Sequence, residues 1–321
     1  MRYFIAGGAG FIGSHLAHKL LAQSDTDRVT VYDNFTSGRE WHLAEARENP
    51  RLKIVRGDIK DLPVLTEAIR GHDQVFHFAS NPDIARAATE PDIDFWEGTY
   101  LTQNILEAMR IGNVRSIIYA SGSGVYGDTG IIEVEENYTP MRPISTYGAS
   151  KLAGEALISA YCSMYDLKAV ALRFANVVGP HQTHGVAFDF ILRLLQNPGE
   201  LTVLGDGYQS KSYIHVKDVI EAMFMASKSS AMGFDCYNVA TLDYITVRQI
   251  ADIVVKQLEL EKVRYLFAGG TRGWKGDVPI IRINSQKIRK LGWNNAYSSI
   301  DAITVSAQSM IADARNGRFV K

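Results

Sequence analysis

Gly7-Gly8-Ala9-Gly10-Phe11-Ile12-Gly13 is the stretch whose reading decides the fold. It separates a short β-branched and aromatic run, Tyr3–Ala6, from a helical pattern, Ile12–Ala22, with apolar Leu16, Leu20 and Leu21. Glycines at 7, 10 and 13 let the backbone turn tightly and come close to a pyrophosphate, and Gly8 adds a further glycine to the G-x-x-G-x-x-G spacing. A helix that starts there offers free N–H groups and its dipole to the phosphates, so Gly7, Gly10, Phe11, Ile12 and Gly13 are cofactor candidates.

Working outward, Val29–Tyr32 and Lys53–Val55 read as further strands, followed by Gln74–Ala79, Ser116–Ala120 and Lys168–Phe174. Helical patterns at about 96–110 and 146–165 lie between the later ones. This alternation predicts an α/β fold, a Rossmann-type doubly wound parallel sheet with helices on both faces. After Asn176 the pattern loosens into helices at 186–196, 216–227 and 246–258 with a strand-like Leu201–Leu204. A boundary near residue 175 divides a dinucleotide-binding domain (1–175) from a smaller C-terminal α/β substrate domain (176–321), some of whose segments return to pack on the first.

Composition sets the outer limits. A chain of 321 residues with 46% hydrophobic and 21% charged residues builds an ordinary core, and a net charge of −1 offers no nucleic-acid or membrane surface. No apolar run reaches the roughly 18 residues of a membrane helix. Nor does the N-terminus read as a signal peptide, since its apolar run goes straight into glycines. Two cysteines, Cys162 and Cys236, make neither a disulfide framework nor a metal cluster, and a reducing, cytoplasmic location is the default. His77, His181, His184 and His215 have no metal-ligand spacing and read as packing or hydrogen-bonding residues, with His184 a candidate for a ligand pocket.

Asp33 closes the second strand 20 residues after Gly13. A carboxylate there hydrogen-bonds both hydroxyls of an adenosine ribose and repels a 2′-phosphate, which favours NAD over NADP, while Arg39 softens the preference. Asn34 follows it. Asp58-Ile59, after the third strand, is placed to reach an adenine, or else Asp58 caps a helix at 60–70. Tyr147 and Lys151 stand at i and i+4 and share a helix face. A tyrosine near pKa 10 is a poor base at pH 7, but a neighbouring ammonium and a positive nicotinamide ring favour phenolate. That pair is the candidate acid/base.

These motifs, together with Val75-Phe-His-Phe-Ala79, Val125-Tyr-Gly127, Arg173-Phe-Ala-Asn-Val-Val-Gly-Pro180 and Tyr213-Ile-His-Val-Lys-Asp218, run over essentially the whole length. The chain resembles the extended short-chain dehydrogenase/reductases of the nucleotide-sugar epimerase/dehydratase type, and within them the UDP-galactose (UDP-glucose) 4-epimerases. Asn81-Pro82, His184-Gly185, Asp189-Phe190, Arg272-Gly-Trp274 and Gly276-Asp277 add to the likeness. The resemblance implies NAD held by the loop, Asp33, Asn34, Asp58, Ile59, Phe78, Ala79, Tyr147 and Lys151. It implies a nucleotide sugar, UDP-linked, met by Asn176, Lys211, Arg272, Asp277 and His184. It also implies a homodimer through the helices at about 97–110 and 148–165, where Leu101, Ile105, Leu152, Ala156 and Ala160 serve either an interface or the core.

Two positions depart from the family pattern. The catalytic Ser or Thr expected three residues before Val125 is Gly122, and the asparagine expected at 98 is Gly98. Ser121 or Ser123 is the candidate substitute hydroxyl, with Ser123 preferred because it lies nearer the loop. Glycine at both positions is read as room for a bulkier substrate or a different chemistry. A dehydratase would carry an acid and a base at 123 and 124, and serine and glycine supply neither; Glu133, Glu135 and Glu136 read as a solvated loop. Epimerisation at C4 is therefore the expectation. Dehydration, a net C4 oxidation or reduction, and a binding protein with little catalysis stand as alternatives.

Overall fold

A computed structural model describes residues 1–229 and 233–319. Seven strands form one sheet: β1 (Arg2–Ala6), β2 (Arg28–Asp33), β3 (Leu52–Arg56), β4 (Gln74–His77), β5 (Ser116–Gly122), β6 (Lys168–Phe174) and β7 (Gly233–Val239). Their spatial order is β3-β2-β1-β4-β5-β6-β7 and every adjacent pair is parallel. Phe4, Ile5 and Ala6 in β1 and Val29 to Asp33 in β2 are buried, the near-continuous run expected of strands covered on both faces. The strand order reverses between β1 and β4, where Ala6 sits opposite His77, and the crevice at the carboxyl ends of these two strands is the ligand-binding point of such sheets.

Helices α1 (Phe11–Leu21), α2 (Leu62–Ile69), α3 (Tyr100–Gly112), α4 (Thr146–Tyr165), α5 (Val186–Gln196), α6 (Val216–Ser229), α7 (Val247–Gln257) and α8 (Ser299–Arg315) complete the framework. Leu16 and Leu20 of α1 join Val219 and Met223 of α6 on one face of the sheet. Leu65 of α2, Ile105 and Met109 of α3 and Ile158 of α4 fill the other. The doubly wound α/β architecture anticipated from the strand alternation is what the chain adopts.

A third core gathers Phe190 and Ile191 of α5, Ile250 and Val254 of α7, and Ile303 and Ala307 of α8, beside a short parallel pair, Glu200–Val203 with Arg264–Phe267. The chain crosses back between the two parts: β7 adds an edge strand to the large sheet against β6, and α6 packs beside α1.

Local chemistry explains the ends that matter for the site. Ser145 caps α4, its hydroxyl accepting from the Gly148 N–H at 3.1 Å. Asp61 caps α2 by accepting from Val64 N–H, so Asp58 is not the helix cap. The approach to α3 is a π-turn, Phe95–Thr99, that places Gly98 inside the fold. No helix among the described residues is long and apolar enough to cross a membrane. Cys162 and Cys236 are free thiols.

Candidate active site

Tyr147 lies in the first turn of α4, half-buried, and Lys151 one turn later is almost completely buried. The Lys151 ammonium donates to the Ala120 carbonyl at 2.8 Å and sits 5.4 Å from the centre of the Tyr147 ring and 5.2 Å from that of Tyr119. Burial pushes its pKa down to about 8, partly offset by the Asp94 carboxylate. Such a lysine is still mostly charged at pH 7. Burial pushes Tyr147 the other way, up to about 12; a Ser80 hydrogen bond works against that shift, and the negative charge of Asp94 adds to it. Without a further positive charge, burial outweighs the neighbouring ammonium, and the phenol stays protonated at neutral pH.

Neither serine of β5 and its turn makes a hydrogen bond to Tyr147 among the described residues. Ser121 is buried and donates to Glu155 Oε1 at 2.5 Å. That carboxylate also receives the Arg173 guanidinium, with Nη2 to Oε2 at 2.7 Å, inside a network that continues through Tyr126 to Asn238. Ser121 is thus committed beneath the site. Ser123 opens a short 3₁₀ turn, Ser123–Tyr126, and its side chain makes no hydrogen bond among the described residues. Gly122 is extended (φ −161°, ψ 166°), and a Cβ built on it approaches only the Phe174 carbonyl, at 4.0 Å. Ser80, just beyond β4, is the side chain whose hydrogen bonding works to lower the Tyr147 pKa. Sequence reasoning misses it, because only the packing of the segment after β4 against α4 brings the two neighbourhoods together.

Gly98 behaves differently from Gly122. A Cβ there would lie 2.7 Å from Ser150 Oγ and 3.1 Å from Ser150 Cβ. The expected room for substrate at 98 does not exist; the glycine lets the π-turn press against α4. Gly124 and Gly148 are a second such contact, since a Cβ on Gly148 would come within 2.5 Å of the Gly124 carbonyl. Glu136 also departs from its reading as a solvated loop residue: it is half-buried and its carboxylate accepts from the Asn238 N–H at 2.7 Å.

At the other end of the crevice, Gly7 has φ 77°, and a Cβ on it would stand 2.7 Å from the Ala79 N–H. A Cβ on Gly13 would meet the Gly7 carbonyl at 2.4 Å. These two glycines hold loop, strand and helix together. Gly10 is the N-cap of α1, lacks any side-chain cap, and its missing Cβ would face only the Gly7 carbonyl at 3.2 Å. Phe78 and Ala79 both donate their N–H groups to the Ala6 carbonyl. Asp33 is buried and accepts from the Ala9 N–H at 2.9 Å and the Phe35 N–H at 2.8 Å. Burial raises its pKa, against the pull of those two bonds and of Arg56. Asn34 closes a turn onto Thr36, Asp58 is exposed and accepts from the Lys60 N–H, and Ile59 is buried.

On the side facing the second core, Lys211 and Asp277 form an ion pair at 2.7 Å, and the Gly273 N–H donates to the same carboxylate at 3.1 Å. Asn176 starts a short strand parallel to Tyr213–His215 and donates its amide to the Ser212 carbonyl at 3.3 Å. Arg272 turns away to Asp128, at 2.8 Å, on the loop after β5. His184 is exposed in the turn before α5; the protein around it lowers its pKa, and Asp83 opposes the shift. Among the described residues no group of three or more His, Cys, Asp or Glu side chains is placed to hold a metal.

The signature of the NAD dependent epimerase/dehydratase family matches residues 3–240. A putative UDP-glucose 4-epimerase of Methanocaldococcus jannaschii is 32% identical over 303 residues, covering 90% of this chain and 92% of that protein. A crystal structure of a UDP-galactose 4-epimerase superposes with a TM-score of 0.86 at 37% identity, over 98% of this chain and 99% of the other. A dTDP-glucose 4,6-dehydratase from Streptomyces venezuelae, with NAD and TYD bound, superposes with a TM-score of 0.90 at 28% identity, over 99% and 98% of the two chains. Backbone similarity alone therefore does not separate the two reactions, and the side chains around Tyr147 must.

Proposed function

The chain belongs to the NAD dependent epimerase/dehydratase family, and from that premise we propose that it is an NAD-dependent nucleotide-sugar 4-epimerase acting on a UDP-hexose or UDP-N-acetylhexosamine. The observation that carries the choice of reaction is the pairing of Tyr147 and Lys151 with Ser123 and Gly124 at the positions where water elimination would need an acid and a base.

The residues present fit NAD. An uncapped helix N-terminus at Gly10 faces the crevice, and Asp33 uses two of its roughly four acceptor positions on backbone N–H groups, leaving the others for ribose hydroxyls. The buried Lys151 ammonium has donors to spare beyond its bond to Ala120. Gly7, Gly10, Phe11, Ile12 and Gly13 would lie along the pyrophosphate, Asp33, Asn34, Asp58 and Ile59 around the adenosine, and Phe78, Ala79, Tyr147 and Lys151 around the nicotinamide ribose. When bound, NAD supplies a hydride acceptor and a positive ring.

Tyr147 accepts the proton of the sugar 4-hydroxyl as the C4–H bond is broken, and returns a proton to the 4-keto oxygen after the sugar has turned over in its pocket. Lys151 favours the phenolate by its charge. Asn176 and Lys211 hold the diphosphate, joined by Arg272 once it leaves its ion pair with Asp128; Asp277 holds a ribose hydroxyl of the nucleotide, and His184 lines the sugar pocket. The Lys211–Asp277 pair would open or tilt to admit the ligand. A lysine at 211 keeps the charge an arginine would bring but gives up its bidentate fork.

We further propose a homodimer through α3 and α4 and a cytoplasmic location. Leu101 and Ile105 are buried in the protomer's own core, which leaves Ala156 and Ala160, exposed one turn apart on α4, and half-buried Leu152 for the interface. The free thiols fit a reducing compartment.

Proton NMR of the purified protein with UDP-hexoses and UDP-N-acetylhexosamines tests the function. C4 interconversion without added nicotinamide supports it, and Tyr147→Phe should abolish turnover while NAD stays bound. Loss of water, or accumulation of reduced nicotinamide, would replace the proposal with a dehydratase or a net oxidoreductase. No change in any sugar would leave a binding protein.

A further inference from the structure

The position at the end of β5 where the family resemblance leads one to expect a hydroxyl is Gly122, and nothing has moved into the space: the nearest atom to a Cβ there is the Phe174 carbonyl at 4.0 Å. Of the two flanking serines, Ser121 is bound to Glu155, and the Ser123 side chain makes no hydrogen bond to Tyr147 among the described residues. The side chain that acts on the Tyr147 phenol from the other side of the crevice is Ser80, in the loop after β4, which works to lower the phenol's pKa.

That approach is built into the backbone. Asp94 is 1% exposed and its carboxylate has two visible donors: Asn81 Nδ2 at 2.9 Å and Thr146 Oγ1 at 2.6 Å. Asn81 is the neighbour of Ser80 and Thr146 the neighbour of Tyr147, so one buried carboxylate ties together the residues adjacent to the pair. Asn81 is itself fixed, accepting from the Asp83 N–H at 3.0 Å and donating to the Asp83 carbonyl at 2.9 Å. The loop's other end is anchored where Phe78 and Ala79 donate to Ala6. Ser80 is thus held on both sides, by β1 and by Asp94.

We infer that Ser80 supplies the hydroxyl that hydrogen-bonds Tyr147 during catalysis, in place of the one absent at 122, and that Asp94 is the positioning residue that sets their distance. Ser80 donates its O–H to the phenolate oxygen and keeps its proton, so that no covalent bond changes. A hydrogen bond to the charged form favours that form, which is the help a buried tyrosine needs. The inference rests on the reading of Tyr147 as the acid/base of the C4 reaction.

The test uses the NAD-loaded protein and four variants: Ser80→Ala, Ser80→Thr, Gly122→Ser and the double Ser80→Ala/Gly122→Ser. Losing one hydrogen bond to a charged group is expected to lower kcat about 10- to 100-fold in Ser80→Ala. KM and bound NAD should change little, and the acid limb of the kcat/KM pH profile should move to higher pH. Ser80→Thr should keep most of the rate. Gly122→Ser should restore part of it in the Ser80→Ala background, because the space at 122 is open. A wild-type rate and profile in Ser80→Ala overturn the inference. So does a loss that neither hydroxyl restores and that leaves the acid limb in place, the signature of a structural role. The phenolate of Tyr147, read by ultraviolet difference titration against Tyr147→Phe, separates the two readings. If no sugar turns over but Ser80→Ala shifts the titration, the proposed reaction fails and the Ser80 contact stands. If sugar is epimerised and the titration does not move, the Ser80 inference alone fails.

Discussion

Replacing Gly98 by asparagine should destabilise the fold through a single contact. A Cβ at 98 lies 2.7 Å from Ser150 Oγ and 3.1 Å from Ser150 Cβ, where ordinary contacts begin at 3.4 Å. Ser150 is buried on α4 and its hydroxyl donates to the Tyr147 carbonyl at 2.9 Å, so any retreat of that hydroxyl costs the bond. Turning it aside gives up a hydrogen bond worth about 0.5–1.5 kcal/mol. The Cβ contact remains and spreads the two helices, an overpacking cost of about 1–3 kcal/mol. Asparagine recovers a few tenths of a kcal/mol, roughly, over glycine in a helix. The net expectation is a loss of about 1–3 kcal/mol. Urea unfolding of Gly98→Asn, Ser150→Ala and the double variant measures it. Because Ser150→Ala removes the nearer atom, the double variant should recover about 1 kcal/mol of coupling. Gly98→Asn with wild-type stability, or a loss indifferent to Ser150, would refute the packing argument and return position 98 to the role of substrate space.

Two further predictions concern buried charge. Glu155→Gln leaves the Arg173 guanidinium without its counter-ion in a site where both side chains are under 5% exposed, and urea unfolding should show a loss of about 3–5 kcal/mol. Near α1, His181 stacks between His15 and His42, and burial pushes His42 down to about 4 and His181 to about 3, with neighbouring histidines and Arg318 adding to the shift. Their unfolded value is about 6.5, so the unfolded chain takes up protons first. Stability is therefore complete above about pH 6.5 and falls as pH drops toward 4. Unfolding free energies across that window should slope less in His181→Asn, a residue that tolerates the left-handed φ of 67° found there.

The parts of this molecule legible in its sequence are those dictated locally. Gly7–Gly13 between a buried run and an amphipathic run is a strand, turn and helix whatever follows, and Ser145 before Tyr147 marks the start of α4 by capping chemistry. β7 is not announced in the same way: Gly233 to Cys236 are half-exposed at a sheet edge, and only Tyr237 to Val239 are buried. α8 is not announced either, since the face it buries mixes Ile303, Met310 and Ile311 with the small or polar Ser299, Ala302, Ser306 and Ala307. The site divides along the same line. The Tyr147–Lys151 pair follows from helical spacing. Ser80 lies 67 residues before Tyr147, and Asp94 joins the site through its bond to Thr146, 52 residues on. The sign that could have pointed to them is Asn81-Pro82, which stiffens the loop just after Ser80. Gly122 and Gly98 look alike in sequence, and only the neighbours of their missing Cβ atoms separate an open space from a packed contact.

The account stands on C4 of the sugar losing and regaining the same hydride while Tyr147 moves the proton. Incubating the protein, without added nicotinamide, with a UDP-hexose deuterated at C4 tests this most directly. The account predicts the C4 epimer with deuterium still at C4. An epimer carrying solvent hydrogen at C4, or a product that has lost water, would contradict it.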